Sequence, residues 1–322
     1  MNIDVFNGDA DGICALIQYR LAYPVEEAML ITGVKRDIQL LKKVKAGQGE
    51  LISVFDISMT KNRDDLQRLL SDGARVFYVD HHLANDIPDH PKLEAIIDTS
   101  PSTCTSLLVD DYLKGKYREW AIVAAFGDNI SKSAIKAAQS LSFSEEQVEL
   151  LKKLGVSINY NGYGSSLEDL HFKPAELYQE MSQYASPFDF ITDTESCYQQ
   201  LQVGYDNDIA ETKNLQACYS NQNIAVYKLP DALWARRVSG VLGNQLANQY
   251  PERAHAILSH HPESGYVVSV RAPLNNLNYA GELCAQFATG GGRKGAAGIN
   301  QLAENELDNF ISLLNQTYKI SQ

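Results

Sequence analysis

No stretch of this 322-residue chain is rich in lysine or arginine: 28 basic residues stand against 40 acidic ones, a formal net charge of -12. A protein that grips long nucleic acid neutralises many phosphates with a basic stripe. The balance here excludes long nucleic acid as the expected partner and favours a small ligand, an anionic one being held by metal ions and a few placed cations. No apolar run approaches the roughly 20 residues of a membrane span, so no membrane partner is expected. The opening residues, MNIDVFNGDAD, lack the basic and apolar regions of a signal peptide, which gives a cytoplasmic expectation. The five cysteines are scattered, odd in number and without a C-x-x-C, which excludes a disulfide framework and a thiolate zinc site. Repeats and low-complexity tracts are missing too.

What is present is alternation. Short apolar runs at 3–6, 28–31, 51–55, 76–79 and 95–97, each bounded by polar residues, read as buried parallel strands. Between and after them, helical stretches are expected at 13–23, 37–44, 62–71, 102–113 and 119–125. The βαβα order predicts an α/β fold with a parallel sheet covered on both faces. The stretch 142–184 reads as helical and irregular, interrupted by NYNGYGSS. A second unit opens at QNIAVYKLP, with later strands at HAILSH and YVVSVRA and helices at 231–249, 278–288 and 305–318.

The ends of the expected strands share a chemistry. The first runs into NGDADG, carrying Asp9 and Asp11; the third ends in VFDIS, with Asp56; the fourth ends in YVDHH, with Asp80, His81 and His82. In an open parallel sheet these termini lie along one edge, where ligands bind. AFGDN, at the end of a later helix, adds Asp128. Any one of these aspartates alone reads as a helix cap. Together they would repel one another and raise each other's pKa unless a cation lay among them. Hard oxygens with imidazole and no thiolate suit Mn2+ or Mg2+. More carboxylates than one ion needs point to a two-metal centre for hydrolysis of a phosphoester or phosphoanhydride.

The series GDADG, FDIS, VDHH and FGDN, in this order and at these intervals, resembles the four motifs of the DHH phosphoesterase superfamily. Near the far end, GGGRKGAAG (290–298) is similar to the glycine-rich signature of the associated DHHA1 domain. The resemblance implies a DHH catalytic domain over 1–190, a helical linker over 191–224 and a smaller α/β DHHA1 domain over 225–322, with the active site in the cleft between the two domains. It implies Asp9, Asp11, Asp56, Asp80, His81 and Asp128 as ligands of two Mn2+ ions, with Mg2+ or Co2+ as alternatives. His82 would orient the site or contact the substrate phosphate, placing it with Asp80 in the chemistry. Many members carry a ligand histidine four residues before the first aspartate of motif one; here that position is Val5, with Asn7 between as a weaker oxygen ligand or the support of a water.

In the second domain Gly290, Gly291 and Gly292 permit a backbone that turns successive amides onto one anion, with Arg293 and Lys294 adding charge. Arg293 stands where the family usually has histidine, and a guanidinium suits phosphate or a guanine edge rather than proton transfer. Arg271 is a second candidate contact. Together these features give a metal-dependent phosphodiesterase that cuts linear dinucleotides or very short oligonucleotides to mononucleotides, purine dinucleotides such as pGpG among them. A nucleotide-binding sensor with weakened turnover, a nucleoside bisphosphate or cyclic dinucleotide phosphoesterase and a RecJ-like exonuclease are the alternatives, and a homodimer stays open.

Overall fold

The computed structural model describes residues 1–261 and 263–319. The chain divides into two compact units, Met1–Tyr205 and Asp206–Gln322. Among the described residues no helix is long and apolar enough to cross a membrane.

The first unit is built on five parallel strands: β1 (Asn2–Phe6), β2 (Ala28–Ile31), β3 (Leu51–Phe55), β4 (Arg75–Asp80) and β5 (Leu93–Ile97), in the spatial order β2-β1-β3-β4-β5. Helix α1 (Ala10–Ala22) follows β1 and α2 (Arg63–Ser71) follows β3. Side chains alternate across a strand, so neighbours serve opposite faces. Phe6 joins α1 in one core, with Phe55, Phe77 and Trp120, while Val5 joins Ile52, Val54 and the α2 leucines Leu66, Leu69 and Leu70 in another. The chain therefore leaves β1 toward one face and β3 toward the other. Between two such strands the connections diverge, and a crevice opens at their carboxyl ends.

Further helices cover the α1 face: α3 (Thr105–Tyr112), α4 (Arg118–Gly127), α5 (Ser131–Gln139), α6 (Glu145–Asn161), α7 (Pro174–Met181) and α8 (Pro187–Thr192). Residues 10–20 of α1 are all buried, since this helix lies between the sheet and its neighbours. Gly127 and Gly155 let α4 and α6 meet closely, because a Cβ at Gly155 would fall 2.1 Å from the carbonyl oxygen of Val123. The NYN of NYNGYGSS turns out to be the last turn of α6, with Tyr160 buried against Tyr205 rather than in a loop.

One expected helix is largely absent. Of 37–44, only Leu41–Lys43 forms a single 3-10 turn. A segment this short cannot repay helix nucleation by itself, and side chains from the α2 region take over its backbone groups. Asn62 accepts from the Leu41 amide and donates to the Ile38 carbonyl, and Arg68 donates to the carbonyls of Leu41 and Val44.

Helix α9 (Tyr198–Glu211) spans the division between the units. The second unit holds a six-stranded sheet of β6 (Tyr219–Ser220), β7 (Ile224–Lys228), β8 (Ala254–His260), β9 (Tyr266–Arg271), β10 (Gly290–Gly292) and β11 (Ala296–Leu302), ordered β10-β11-β9-β8-β7-β6. The stretch 191–224, expected as a helical linker, contains the whole of α9 and also the short edge strand β6 of this sheet. Among the described residues only β7 and β8 are parallel, joined by α10 (Leu233–Gln249); α11 (Ala280–Cys284) and α12 (Leu307–Thr317) complete a core around Leu258, Val268, Ile299 and Phe310.

Candidate metal centre

Each acidic residue of the first unit is placed by a local feature of the backbone. Asp9 is the N-cap of α1, and its Oδ1 accepts from the amides of Asp11 and Gly12 at 3.1 Å. Asp11, in the first turn of that helix, reaches across to the start of α3, whose own N-cap residue Cys104 makes no side-chain cap. The Asp11 carboxylate accepts from the amides of Thr105 and Ser106, both at 2.7 Å. Asp56 ends β3 with a φ of 59°, a left-handed conformation that aspartate tolerates better than most residues. Asp128 closes α4, where Asn129 takes the left-handed position that stops the helix.

These carboxylates converge with the histidines after β4. His81 Nε2 lies 3.4 Å from Asp56 Oδ1 and 3.8 Å from both Asp11 Oδ2 and Asp128 Oδ2. His82 Nδ1 lies 2.7 Å from Asp80 Oδ1 and 3.8 Å from Asp56 Oδ1. Two sets of donors are close enough to share an ion: Asp56, His81 and His82, and Asp11, His81 and Asp128. All six aspartate and histidine positions expected as ligands, with His82, are thus drawn to the carboxyl edge of one sheet.

The electrostatics show a cluster short of positive charge. Burial, with the repulsion of Asp9 and Asp11, drives the Asp56 carboxyl well above its ordinary range despite the opposing pull of His81. Burial and the charge of Asp11 lift Asp128 to about 6, against the pull of Lys35. His81 goes the other way. Burial disfavours its charge, but its hydrogen bond to Asp56 and the field of Asp11, Asp56 and Asp128 carry it to about 10.

A divalent cation fits this donor set. Asp80 Oδ2 and Asn7 Oδ1, at the same edge, are buried oxygens without a hydrogen-bond partner among the described residues, and such groups are costly unless something satisfies them. The donors are carboxylate oxygen and imidazole nitrogen, the set of a hard or intermediate ion. Cys14 and Cys104 are buried nearby, but burial and the charge of Asp11 push both thiols well up, so they stay protonated.

Val5 does not belong to this group. It is fully buried in the core on the α2 face, because the residue four before Asp9 falls on the inward register of β1.

Lys35 was not among the expected residues, yet it enters the cluster. It lies in the loop after β2, whose carboxyl end meets the same edge. Its Nζ is 2.6 Å from Asp9 Oδ2, 3.6 Å from Asp128 Oδ1 and 2.9 Å from Asn159 Oδ1, and it sits over the Tyr163 ring. Burial would strip its proton, but Asp9, Tyr163 and Asp128 hold its pKa well above the usual range. In return Lys35 keeps Asp9 below the usual carboxylate range, against the effect of burial. The signal was the loop after β2, TGVKRD, which puts the cations Lys35 and Arg36 a few residues beyond a strand end where the other strands carry acids and histidines.

In the second unit Gly290, Gly291 and Gly292 form β10, an edge strand paired with β11 in the register Gly290↔Ile299, Gly291↔Gly298 and Gly292↔Ala297. This differs from the expected anion-cradling loop: only Gly292 has positive φ, whereas a nest alternates hands residue by residue. The glycines answer close packing instead. A Cβ at Gly290 would fall 1.8 Å from the carbonyl oxygen of Cys284 in α11, and one at Gly292 2.5 Å from Ala297 Cα. Arg293 and Lys294 occupy the exposed turn of this hairpin, with the Arg293 amide bonded to the Ala296 carbonyl. Arg271 pairs with Ala296 on the neighbouring strand, and its guanidinium donates to Asn244 at 2.7 Å, to Ser269 and to the carbonyls of Val270 and Gly240. It braces β9 against α10 beside the hairpin.

No protein-family model matches the sequence, and no curated protein matches it. Solved structures do. Exonuclease RecJ bound to manganese superposes with a TM-score of 0.66 at 16% identity, covering 100% of this chain and 91% of that one. RecJ from Thermus thermophilus in complex with Mn2+ gives 0.60 at 18% identity, covering 100% of this chain and 52% of that one. A pGpG-specific phosphodiesterase, PggH from Vibrio cholerae, gives 0.58 at 15% identity, covering 98% of both chains. The chain has the fold these proteins share, a mixed α/β architecture with a five-stranded parallel sheet and a second sheet, and this agrees with the resemblance of its motifs.

Proposed function

We infer that the protein is a divalent-metal-dependent phosphodiesterase acting on linear dinucleotides or very short oligonucleotides. The observation that carries this reading is the convergence of Asp11, Asp56, Asp80, His81, His82 and Asp128 at one sheet edge, with the buried Asp80 Oδ2 left without a partner. A metal ion bound there supplies a Lewis acid for the phosphate and lowers the pKa of water. The chain's own residues orient that chemistry. Asp11 is held rigidly by two α3 amides, Asp56 is steadied by the Thr105 hydroxyl at 3.2 Å, and Asp80 takes Nδ1 of His82, leaving Nε2 to meet the substrate phosphate.

The choice of a short substrate rests on charge and fold. With a net charge of -12, each further phosphate of a longer chain meets a repulsive field. Arg293 and Lys294, exposed on the β10–β11 turn, offer the few cations a short anion needs. The fold is shared along nearly its full length with a pGpG-specific phosphodiesterase, which makes pGpG the first substrate to try. The alternative of a longer, processive substrate draws on the equally shared fold of an exonuclease.

A time course on end-labelled RNA of two to seven nucleotides, run with cyclic dinucleotides and 3′,5′-bisphosphates at fixed Mn2+, separates these. Turnover should fall steeply from dinucleotides to oligomers of five or more. Comparable rates along the series, or progressive digestion of a 20-mer, would make the protein an exonuclease; no Mn2+-dependent hydrolysis of any substrate would leave a nucleotide-binding sensor.

A further inference from the structure

We propose that Lys35 stands in for one of the two metal ions expected from the sequence, so that the centre holds a single divalent ion beside a built-in ammonium. The proposal rests on reading the cluster as a divalent-metal centre.

Asp9 shows why. Its Oδ1 already accepts two amides of α1, and its Oδ2 lies 2.6 Å from Lys35 Nζ. The carboxylate expected to lead the ligand set is therefore engaged on both oxygens by the protein itself and, unlike Asp11, whose partners there are neutral amides, it is paired with a full positive charge. The same ammonium is 3.6 Å from Asp128 Oδ1, so it stands at the corner between β1 and α4 that a second ion would have to share. It is also anchored there. The Lys35 amide donates to the Gly162 carbonyl, Nζ donates to Asn159, and the Tyr163 ring lies beneath it at 5.7 Å. A surface lysine that drifted toward acids would not bring a buried amide acceptor and an aromatic face with it.

The opposite side of the cluster has the complementary character. Around Asp56, Asp80, His81 and His82 no lysine or arginine makes an ion pair among the described residues, and the buried Asp80 Oδ2 has no partner. This half asks for a cation and the Asp9 half already has one. An ion entering beside Lys35 would face a fixed positive charge within a few ångströms in a partly desolvated site, where such repulsion is strong. The lysine is also suited to the reaction, since an ammonium next to the metal can take a phosphate oxygen that a second ion would otherwise bind.

The test counts metal rather than turnover. The full-length protein is equilibrated by dialysis with Mn2+, and bound metal is measured by mass spectrometry and electron paramagnetic resonance. Wild type should retain one tightly bound ion per chain and show no signal from exchange-coupled Mn2+. Lys35→Met, which keeps the side-chain length without the charge, should bind two ions and display the coupled signal with halved hyperfine spacing; Lys35→Arg should stay at one. Two equivalent ions in wild type, or a Lys35→Met protein that still binds one, overturns the proposal while leaving a metal-dependent hydrolase intact. If Lys35→Met fails to fold, Lys35→Gln serves in its place and the wild-type count decides alone. Failure of wild type to bind Mn2+ at all overturns both this proposal and the metal-centre reading.

Discussion

Asp80 Oδ1 lies 2.7 Å from His82 Nδ1, while the buried Asp80 Oδ2 has no hydrogen-bond partner among the described residues. One oxygen of this carboxylate therefore sets the orientation of an imidazole and the other is available to a cation. Asp80→Ala should lower metal-dependent kcat/KM by about 100-fold or more, since losing a group that orients a metal ligand alone costs about 10- to 100-fold. The fold should survive, because the residue ends a strand at an edge rather than filling the core. Activity on a dinucleotide within a few-fold of wild type, with an unchanged melting temperature, would remove Asp80 from the centre.

Metal uptake should displace protons. In the metal-free protein His81, held at about 10, is protonated at neutral pH, and Asp128, at about 6, gains its proton as the pH falls through that value. An ion bound through these groups must expel what they carry. At pH 7.5 Mn2+ binding should release about one proton per ion taken up through His81, and affinity should fall further below pH 6 as Asp128 also protonates. Calorimetry in two buffers of different ionisation enthalpy measures the release; equal apparent enthalpies in both would show that His81 is not displaced.

Arg293 belongs to the exposed turn of the β10–β11 hairpin, far in sequence from the acidic cluster. A hydrogen bond involving a charged group contributes roughly 1.5–3 kcal/mol, so Arg293→Ala should reduce kcat/KM for a dinucleotide by about 10- to 100-fold. The p-nitrophenyl ester of thymidine 5′-monophosphate, too small to need this contact, should be hydrolysed nearly as before. Equal loss on both substrates would assign Arg293 to the chemistry or to the stability of the hairpin.

A histidine at Val5, where many DHH proteins carry a metal ligand, should not improve metal binding. Val5 is fully buried in an apolar cluster with Ile3, Val54 and Leu66. Val5→His should destabilise the protein by about 1–3 kcal/mol, the cost of burying an unsatisfied polar group, and leave Mn2+ affinity unchanged. Tighter metal binding without loss of stability would mean that β1 presents this position to the edge.

Much of this protein was determined by the sequence alone. Short, near-continuous apolar runs alternating with helical segments point to parallel strands, because a strand covered on both faces has no polar face to alternate with. Once the strands are parallel their polar ends must share an edge, which is why Asp9, Asp11, Asp56, Asp80, His81 and His82 could be grouped from their spacing. Tertiary structure decided what spacing cannot express. Lys35 follows a strand without acids, and only the packing of its loop on Gly162, Asn159 and Tyr163 turns it into the cluster. Thr105 and Ser106 hold Asp11 with backbone amides, which every residue but proline carries and which therefore leave no mark in the sequence. Gly290–Gly292 read as a phosphate loop, but they pair with β11 as an edge strand, and the Cys284 carbonyl leaves no room for a Cβ at Gly290. Residues 37–44 have the composition of a helix, but the carbonyls it would have used are taken by Asn62 and Arg68 from the next element. Periodicity reports which face of an element is buried; which distant partner completes a charge or a backbone group depends on contacts made only after the elements pack.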